Sequence, residues 1–169
     1  SIALAGAVGL AAMLPRNHVL QQRLDDMISQ RAWTNLVTYY DADHSVFLKG
    51  DLDALAEREK TLDNELKRGD VSFGFDVYNL FIERFNERYD FATNLLATAE
   101  WDFTSNEVYR IKRKDAPWPE TREDAEDLWR KKIKNEVLVQ MLSRELDIER
   151  KQAKNRRSEE RFSRNAETD

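Results

Sequence analysis

The amino-acid sequence predicts an all-α fold, a multi-helix bundle of long amphipathic helices. Hydrophobic residues make up 41% and charged residues 35% of the 169 positions, and there are only five glycines and three prolines. Apolar residues also recur at steps of three and four over four long segments. Eight phenylalanines, five tyrosines and four tryptophans supply large apolar side chains for a core, which argues against disorder throughout the chain.

The first two helical patterns are separated by a loop expected from Asp41 to Gly50. The first pattern runs from His18 to Tyr40 and predicts one or two helices with a buried stripe. In the second, Asp51 stands where an N-cap is expected, and Gly69 follows a basic pair as a helix stop. We therefore expect one continuous helix between Asp51 and Gly69.

The third pattern predicts the central core helix, which starts at Asp70 or Ser72 and ends near Ala99. The wide apolar stripe of this helix is expected to be buried. It consists of Val77, Tyr78, Phe81, Ile82, Phe85, Tyr89, Ala92, Leu95 and Leu96.

The stretch from Trp101 to Asp115 loses the helical spacing. Pro117 and Pro119 then exclude a continuous helix, because proline lacks an amide hydrogen and restricts the residue before it. We expect an irregular, ordered segment here, with at most a minor β pair near Val108 to Lys112.

The fourth pattern begins at Thr121, which forms a capping signature with Asp124 three residues later. Its apolar stripe runs through Ala125, Leu128, Trp129, Ile133, Val137, Leu138, Met141 and Leu142. Charges of both signs then dominate, which is typical of a solvated helix that frays toward its end. We place a helical domain at residues 1–146 and a charged C-terminal helix or linker at residues 147–169.

The first fourteen residues, Ser1 to Leu14, are uncharged and small or apolar. They are compatible with the remnant of a leader peptide, although no basic flank precedes them and the run is too short to span a bilayer. The alternative is a helix of small residues packed against the rest of the domain through Leu4, Val8, Leu10 and Leu14. We favour the packed helix.

Composition argues against several classes of partner. The net charge is −5, and 27 basic residues alternate with 32 acidic ones instead of forming a basic face, so no nucleic acid partner is expected. No stable membrane span is expected either. The sequence has no cysteine, which removes disulfides and thiolate chemistry but is compatible with cytoplasm or periplasm.

The residues that most often carry chemistry lack the spacing that catalysis needs. No serine lies in a Gly-x-Ser-x-Gly turn, and His18 has no carboxylate close enough on its helix for a compact metal site. Residues 41–45, Asp-Ala-Asp-His-Ser, begin like a calcium loop, but Val46 occupies the glycine position and Leu52 replaces the closing glutamate. We interpret this segment as a polar turn between helices and expect no catalytic residue, metal or cofactor.

Two kinds of charge cluster are interpreted as solvated surface. Paired carboxylates such as Glu57 and Glu59 lie among lysines and arginines on predicted exposed faces, without the crowding or burial that acid/base catalysis requires. The basic run from Arg110 to Lys114 could bind an anion, but no glycine-rich phosphate loop accompanies it.

Residues 101–134 carry a dense set of aromatic residues and prolines that resembles the N-terminal region of the tail-specific (carboxy-terminal processing) proteases. The matching residues are Trp101-Asp102-Phe103-Thr104, Tyr109, Arg113-Lys114-Asp115-Ala116-Pro117-Trp118-Pro119 and Leu128-Trp129-Arg130-Lys131-Lys132-Ile133-Lys134. The likeness extends upstream through Leu24-Asp25-Asp26, Asp51, Leu62, Gly69-Asp70 and Tyr78, and covers roughly residues 17–142. It departs from the family pattern at Val19, where an aromatic residue often follows Asn17-His18.

The resemblance implies a parent protein that is a bacterial periplasmic or envelope endopeptidase with a PDZ domain and a Ser/Lys dyad. None of those motifs occurs in this chain, so the resemblance gives it no catalytic residue. It implies a non-catalytic helical domain that serves substrate access, domain assembly or adaptor docking. Its implied partners are the PDZ and protease lobes of the parent chain, an adaptor protein and polypeptide substrates. The alternative is a free-standing helical module for protein–protein interaction.

The structural or interaction candidates are the aromatic and proline residues of the matching segment. They are Trp101, Asp102, Phe103, Tyr109, Ala116, Pro117, Trp118, Pro119 and Trp129. Two prolines set an extended turn, so Trp118 is predicted to be largely buried and to fasten that turn to the helical core. A role as a structural clamp is favoured over a ligand pocket.

Overall fold

The computed structural model describes residues 26–166, with side chains described as far as residue 159. Predictions that concern Leu4 to Leu14, His18 and the last residues before Asp169 lie outside this range. No strand occurs between residues 26 and 166, and the all-α prediction is confirmed. The elements are α1 (Asp26–Tyr40), α2 (Lys49–Leu55), a 3₁₀ helix (Ala56–Lys60), α3 (Leu62–Lys67), α4 (Ser72–Thr98) and α5 (Arg122–Ala166).

The described chain divides into two compact units. The first unit comprises residues 26–99 and 110–130, and the second comprises residues 100–109 and 131–166. Helix α5 contributes its beginning to the first unit and the remainder to the second. The domain boundary between residues 146 and 147 depends on composition alone and stays a prediction.

The core of the first unit brings together side chains from α1, α3, α4 and the loop after α1. Its buried members are Val37, Phe47, Leu62, Phe73 and Val77. Aromatic rings extend the cluster, with Trp33 and Phe73 centred 5.4 Å apart and Tyr40 and Phe81 4.9 Å apart. Burial of large rings is the main favourable contribution to such a core, and it joins the short α2 and α3 to the longer helices.

The continuous helix predicted between Asp51 and Gly69 is wrong, because the 3₁₀ helix interrupts it. Arg58, in this interruption, donates to Glu65 from Nη2 at 2.6 Å and lies over the Phe73 ring at 5.2 Å. The break therefore places one guanidinium against both α3 and the start of α4. The predicted stop at Gly69 is confirmed: its φ is 76°, and Gly69 N–H and Asp70 N–H donate to Leu66 O and Glu65 O, both at 2.9 Å.

The N-cap predicted at Asp51 is wrong, because Asp51 lies in the first turn of α2. The N-cap residue is Leu48, whose N–H donates to Asp51 Oδ2 at 2.9 Å. The same carboxylate accepts two hydrogen bonds from Arg84 of α4, at 2.8 and 2.9 Å. The carboxylate thus caps α2 from within and ties it to α4.

Helix α4 buries only part of the predicted stripe. Phe73, Val77 and Arg88 are buried, whereas four members of the predicted stripe, Tyr78, Phe85, Tyr89 and Leu96, are exposed. Two neighbouring apolar faces of one helix share the same spacing of three and four, so periodicity alone does not show which face points inward.

The capping signature at the start of α5 is confirmed. Thr121 N–H donates to Asp124 Oδ2 and Asp124 N–H donates to Thr121 Oγ1, both at 3.1 Å. The predicted stripe does not stay buried along this helix. Met141 and Leu142 are exposed, and every residue from 139 to 150 is solvent-facing.

Candidate functional site

The carboxylate of Asp41 organises the loop between α1 and α2. Asp41 is 1% exposed. Its Oδ1 accepts from Ser45 N–H at 2.8 Å, and its Oδ2 accepts from Val46 N–H and Phe47 N–H, both at 3.1 Å. A buried charge is tolerated when hydrogen bonds replace its lost hydration, so this carboxylate fixes the loop while the loop amides stabilise the charge.

Trp118 completes the set of donors to Asp41. Its Nε1 donates to Asp41 Oδ2 at 3.0 Å, and its ring stacks on His44 with centroids 3.5 Å apart and planes 17° apart. The indole is partly buried and packs against the core cluster of the first unit. We call residues 41–48, 113–119 and Trp129 the loop clamp.

His44 adopts a left-handed backbone conformation with φ of 52°, which is unfavourable for a residue with a Cβ. Its ring is held between the Trp118 stack and a hydrogen bond from Nδ1 to the Ala116 carbonyl oxygen. Since a carbonyl oxygen only accepts, Nδ1 carries the proton in this arrangement. The loop clamp thus holds His44 in a conformation that a free loop would seldom adopt.

Residues 113–119, which we call the proline segment, contribute further hydrogen bonds to the loop clamp. Ala116 and Pro119 are buried, and the Pro119 carbonyl accepts from Lys49 N–H at 2.8 Å, which satisfies the first free amide of α2. Arg113 donates from Nε to Asp43 O at 3.2 Å. One member of the predicted basic run therefore binds loop carbonyls and is not simply part of a charged surface.

Trp129 provides the contribution of α5 to the loop clamp. Its Nε1 donates to Ser45 O at 2.7 Å, and its side chain is partly buried. Two tryptophans, from the proline segment and from α5, thus donate to the loop that follows α1. The structure brings together five predicted candidates here: Ala116, Pro117, Trp118, Pro119 and Trp129.

A groove of about 450 Å³ borders the loop clamp. Its walls are mainly apolar and come from α1, α2, the start of the 3₁₀ helix and residues 117–118. They include Trp33, Val37, Leu52, Ala56, Pro117 and Trp118. The charged residues at the groove, Lys49 and Asp53, are paired with each other at 2.6 Å and well exposed. The groove offers apolar surface and no convergent set of catalytic groups.

The other four candidates, Trp101, Asp102, Phe103 and Tyr109, lie in the second unit. Asp102 Oδ1 accepts from Thr104 N–H at 2.8 Å and from its hydroxyl at 2.6 Å, and these hydrogen bonds lower the pKa of Asp102. Phe103 and Tyr109 border a hollow of about 230 Å³ beside Leu138 of α5.

Lys134 of α5 binds the irregular segment of the second unit, residues 100–109. Its Nζ donates to Ser105 Oγ at 2.9 Å and forms an ion pair with Glu107 at 2.5 Å. The Lys134 side chain is only 15% exposed. These contacts fix the segment through one flexible ammonium group, in contrast to the several backbone amides that Asp41 binds.

Two arginines on α4 differ in how their charge is compensated. Arg84 binds Asp51 with two hydrogen bonds, and these outweigh desolvation and raise its pKa above the usual range. Arg88 is 0% exposed, and its Nε and Nη2 find no acceptor among the described residues. Burial lowers the pKa of Arg88.

Sequence reasoning misses the roles of Asp41 and Arg88. It marks Asp41 only as the start of a polar turn. The signal that could have revealed its role as an acceptor is an aspartate placed just before a tight loop, whose next few backbone amides can donate to the carboxylate. No sequence signal marks Arg88, because arginine is common on exposed helix faces. Among residues 26–166 no cluster of histidine and carboxylate side chains is placed to hold a metal ion.

The comparisons with known proteins agree with the resemblance seen in the sequence. A family profile described as "Tail specific protease N-terminal domain" matches residues 10–169. A curated "Tail-specific protease" from Haemophilus influenzae is 34% identical over 126 residues, which cover 74% of this chain and 18% of that protein. The chain thus corresponds to less than a fifth of that relative's length. Between residues 26 and 166 no helix has the length and apolar character needed to cross a membrane. This chain belongs to the family of tail-specific protease N-terminal domains.

Proposed function

We propose that this chain is the non-catalytic helical domain of a C-terminal processing serine endopeptidase and contributes to domain assembly, substrate access or adaptor docking. Family membership over residues 10–169 supports the proposal, as does the small share of the relative that the match covers. In this proposal the PDZ lobe and the Ser/Lys dyad lie elsewhere in the parent protein, which acts in the periplasm or cell envelope.

The loop clamp is the observation that carries the proposal. Its polar atoms bind one another: the Asp41 carboxylate accepts from Trp118, and Trp129 donates to the Ser45 carbonyl. A catalytic site needs groups directed at a substrate, whereas these hold two irregular segments in fixed positions. The clamp therefore suits a rigid scaffold on which other domains or partners assemble.

A free-standing interaction module is the second candidate, and the exposed apolar face of α4 favours it. Phe75 and Tyr89 are 61% and 60% exposed, more than a core helix would leave in water. The two candidates differ in the sequence expected downstream in the gene. A PDZ domain and a Ser/Lys dyad encoded downstream would support the protease-domain candidate over the free-standing module.

The direct test compares this chain with a version extended through the protease lobe, using a substrate with an apolar C-terminal tag. We expect cleavage by the extended protein only. Turnover by the short chain, abolished by mutation of one of its own serines, would contradict the proposal.

A second arm addresses the scaffold role in the extended protein. Trp118→Ala should impair cleavage of the tagged protein more than cleavage of a short unstructured peptide, because the peptide reaches the dyad without an ordered scaffold. Tyr39→Ala, at an exposed position of α1, is the matched aromatic control. Equal loss on both substrates would favour general misfolding over a role in substrate access.

A further inference from the structure

The basic run of residues 110–114 divides into two groups in the structure, and all of its residues belong to the first unit. Arg113 is partly buried and donates from Nε to Asp43 O at 3.2 Å. The other three cations of the run are exposed: Arg110, Lys112 and Lys114. Arg113 therefore anchors the run to the loop clamp, while the remaining cations face water. We call these three residues the cation row.

The cation row has no anionic partner within the fold. None of its members forms an ion pair or a hydrogen bond with another residue that the structure describes. Other cations of the first unit do form such pairs, as Lys49 does with Asp53 at 2.6 Å. Asp115 follows the row and offsets one of its three charges, so the local charge stays positive on a chain whose net charge is −5. The row is thus an exposed positive site that can accept an anionic partner.

The backbone along the cation row is also unpaired. Residues 110–112 form no helix, strand or hydrogen-bonded turn, and their N–H and C=O groups have no partner among the described residues. Ile111 lies between the first two cations and is 70% exposed. Free N–H and C=O groups beside a β-branched side chain can pair with the backbone of an added strand.

These features discriminate between anionic occupants. Cations at alternate positions match carboxylates at every second residue of an extended chain, about 7 Å apart. A polypeptide also offers amides and carbonyls to the free backbone groups of residues 110–112. A nucleic acid or an anionic membrane would bring an extended negative surface toward a chain of charge −5.

We propose that residues 110–114 bind an acidic segment of another polypeptide in extended conformation. The cation row contacts the carboxylates of that segment, and residues 110–112 pair with its backbone. This inference rests on the proposed docking role and names its surface and the partner's chemistry.

The test uses the full chain and two synthetic peptides of about nine residues. One alternates glutamate with threonine, and in the other glutamine replaces every glutamate. Fluorescence anisotropy at low salt should show the glutamate peptide binding at least about tenfold more tightly, with the difference shrinking as salt is added. Equal affinity for both peptides would overturn the proposal.

Variants locate the site on the cation row. Lys112→Glu with Lys114→Glu should weaken binding of the glutamate peptide by at least about tenfold. Arg31→Glu with Lys60→Glu makes the same charge change at exposed positions elsewhere in the first unit and should weaken binding by less than about threefold. Circular dichroism should show that both variants melt as the wild type does. Equal weakening in the two variants would overturn the proposal in favour of general electrostatic attraction.

A modified peptide tests the pairing of backbones. N-methylation of the glutamate peptide at every second residue keeps its charge and removes amide donors on one edge. Methylation on the pairing edge should weaken binding at least about fivefold, and methylation on the other edge should not. Equal binding of both methylated peptides and the parent peptide would overturn the pairing.

Two further probes address the other anionic occupants. A single-stranded oligonucleotide and vesicles containing anionic lipid should each bind more weakly than the glutamate peptide. Tighter binding of either probe, lost in the variant with Lys112→Glu and Lys114→Glu, would overturn the proposal in favour of that occupant. None of these measurements involves proteolysis, so a failure here leaves the proposed protease role to its own test.

Discussion

Asp41 in the loop clamp and Arg88 on α4 are both buried charges of the first unit, yet their surroundings differ. Asp41 accepts four hydrogen bonds, three from backbone amides and one from Trp118. Arg88 leaves Nε and Nη2 without an acceptor among the described residues, and its ion pair with Glu87 is long, at 3.8 Å. The comparison shows that burial alone does not reveal whether a charge stabilises the fold.

The largest expected effect is at Asp41. Asp41→Ala removes the acceptor for four donors and leaves three buried amides without a partner, so the free energy of unfolding should fall by about 3–5 kcal/mol. Urea denaturation followed by circular dichroism measures the change. Asp53→Ala, at an exposed carboxylate of α2, should change stability by less than about 1 kcal/mol. Similar losses of unfolding free energy in the two variants would show that Asp41 does not organise the loop.

The next largest effect is expected at Trp118. Trp118→Ala removes the packing of the indole, its stack on His44 and its hydrogen bond to Asp41. Because the ring is only partly buried, we expect the free energy of unfolding to fall by about 2–4 kcal/mol. Trp118→Phe keeps a ring and loses the donor, so it should cost about 1 kcal/mol. Thermal unfolding of both variants separates packing from hydrogen bonding. An unchanged melting temperature for Trp118→Ala would favour a docking role over a clamp.

Local features of this fold could be predicted from sequence, and long-range ones could not. The stop at Gly69 and the capping box of Thr121 with Asp124 depend on residues within a few positions of each other. The role of Asp41 depends on Trp118, 77 positions away. The inward face of α4 depends on packing among several helices, which the spacing along one helix does not contain.

Prediction of the candidate site from sequence is limited in the same way, because it does not show which residues meet in space. The resemblance marks the aromatic and proline residues, and the structure places them in two different units, with Trp118 in the first and Phe103 in the second. Their interaction roles stay predictions. The spacing along α4 predicts its exposed face as core, because exposed and buried apolar rows have the same period.

Arg84 and Arg88 provide the sharpest contrast, because they lie one turn apart on α4. Arg84→Met leaves the partly buried Asp51 without its guanidinium and should destabilise the fold by about 2 kcal/mol. Arg88→Met removes a desolvated charge and keeps apolar volume, so stability should rise by about 1 kcal/mol. Urea titrations of the two variants in parallel test whether their changes in unfolding free energy have opposite signs. A loss above about 2 kcal/mol for Arg88→Met would show that the guanidinium contributes favourably to the native fold.

The smallest expected effect is the pH dependence contributed by Asp51. Burial acts to raise the pKa of Asp51, but hydrogen bonds from Arg84 and Leu48 and the nearby guanidinium charges outweigh it, so the pKa lies below its usual range. A carboxyl group with a lowered pKa in the folded state stabilises the fold above its unfolded pKa of about 4. This contribution disappears as the pH falls through the lower pKa of the folded state.

Asp51→Asn should therefore lower stability at pH 7 by about 1 kcal/mol, since an amide retains part of the hydrogen bonding. The difference from the wild type should be steady from about pH 6 to about pH 4 and should narrow as the pH falls further, because the wild-type carboxylate is protonated only when the pH passes through its lowered pKa. Unfolding free energies measured across that range, with Asp53→Asn as the exposed control, test the sign. A difference that stays constant with pH would mean that Asp51 acts through the cap geometry of α2 and not through its charge.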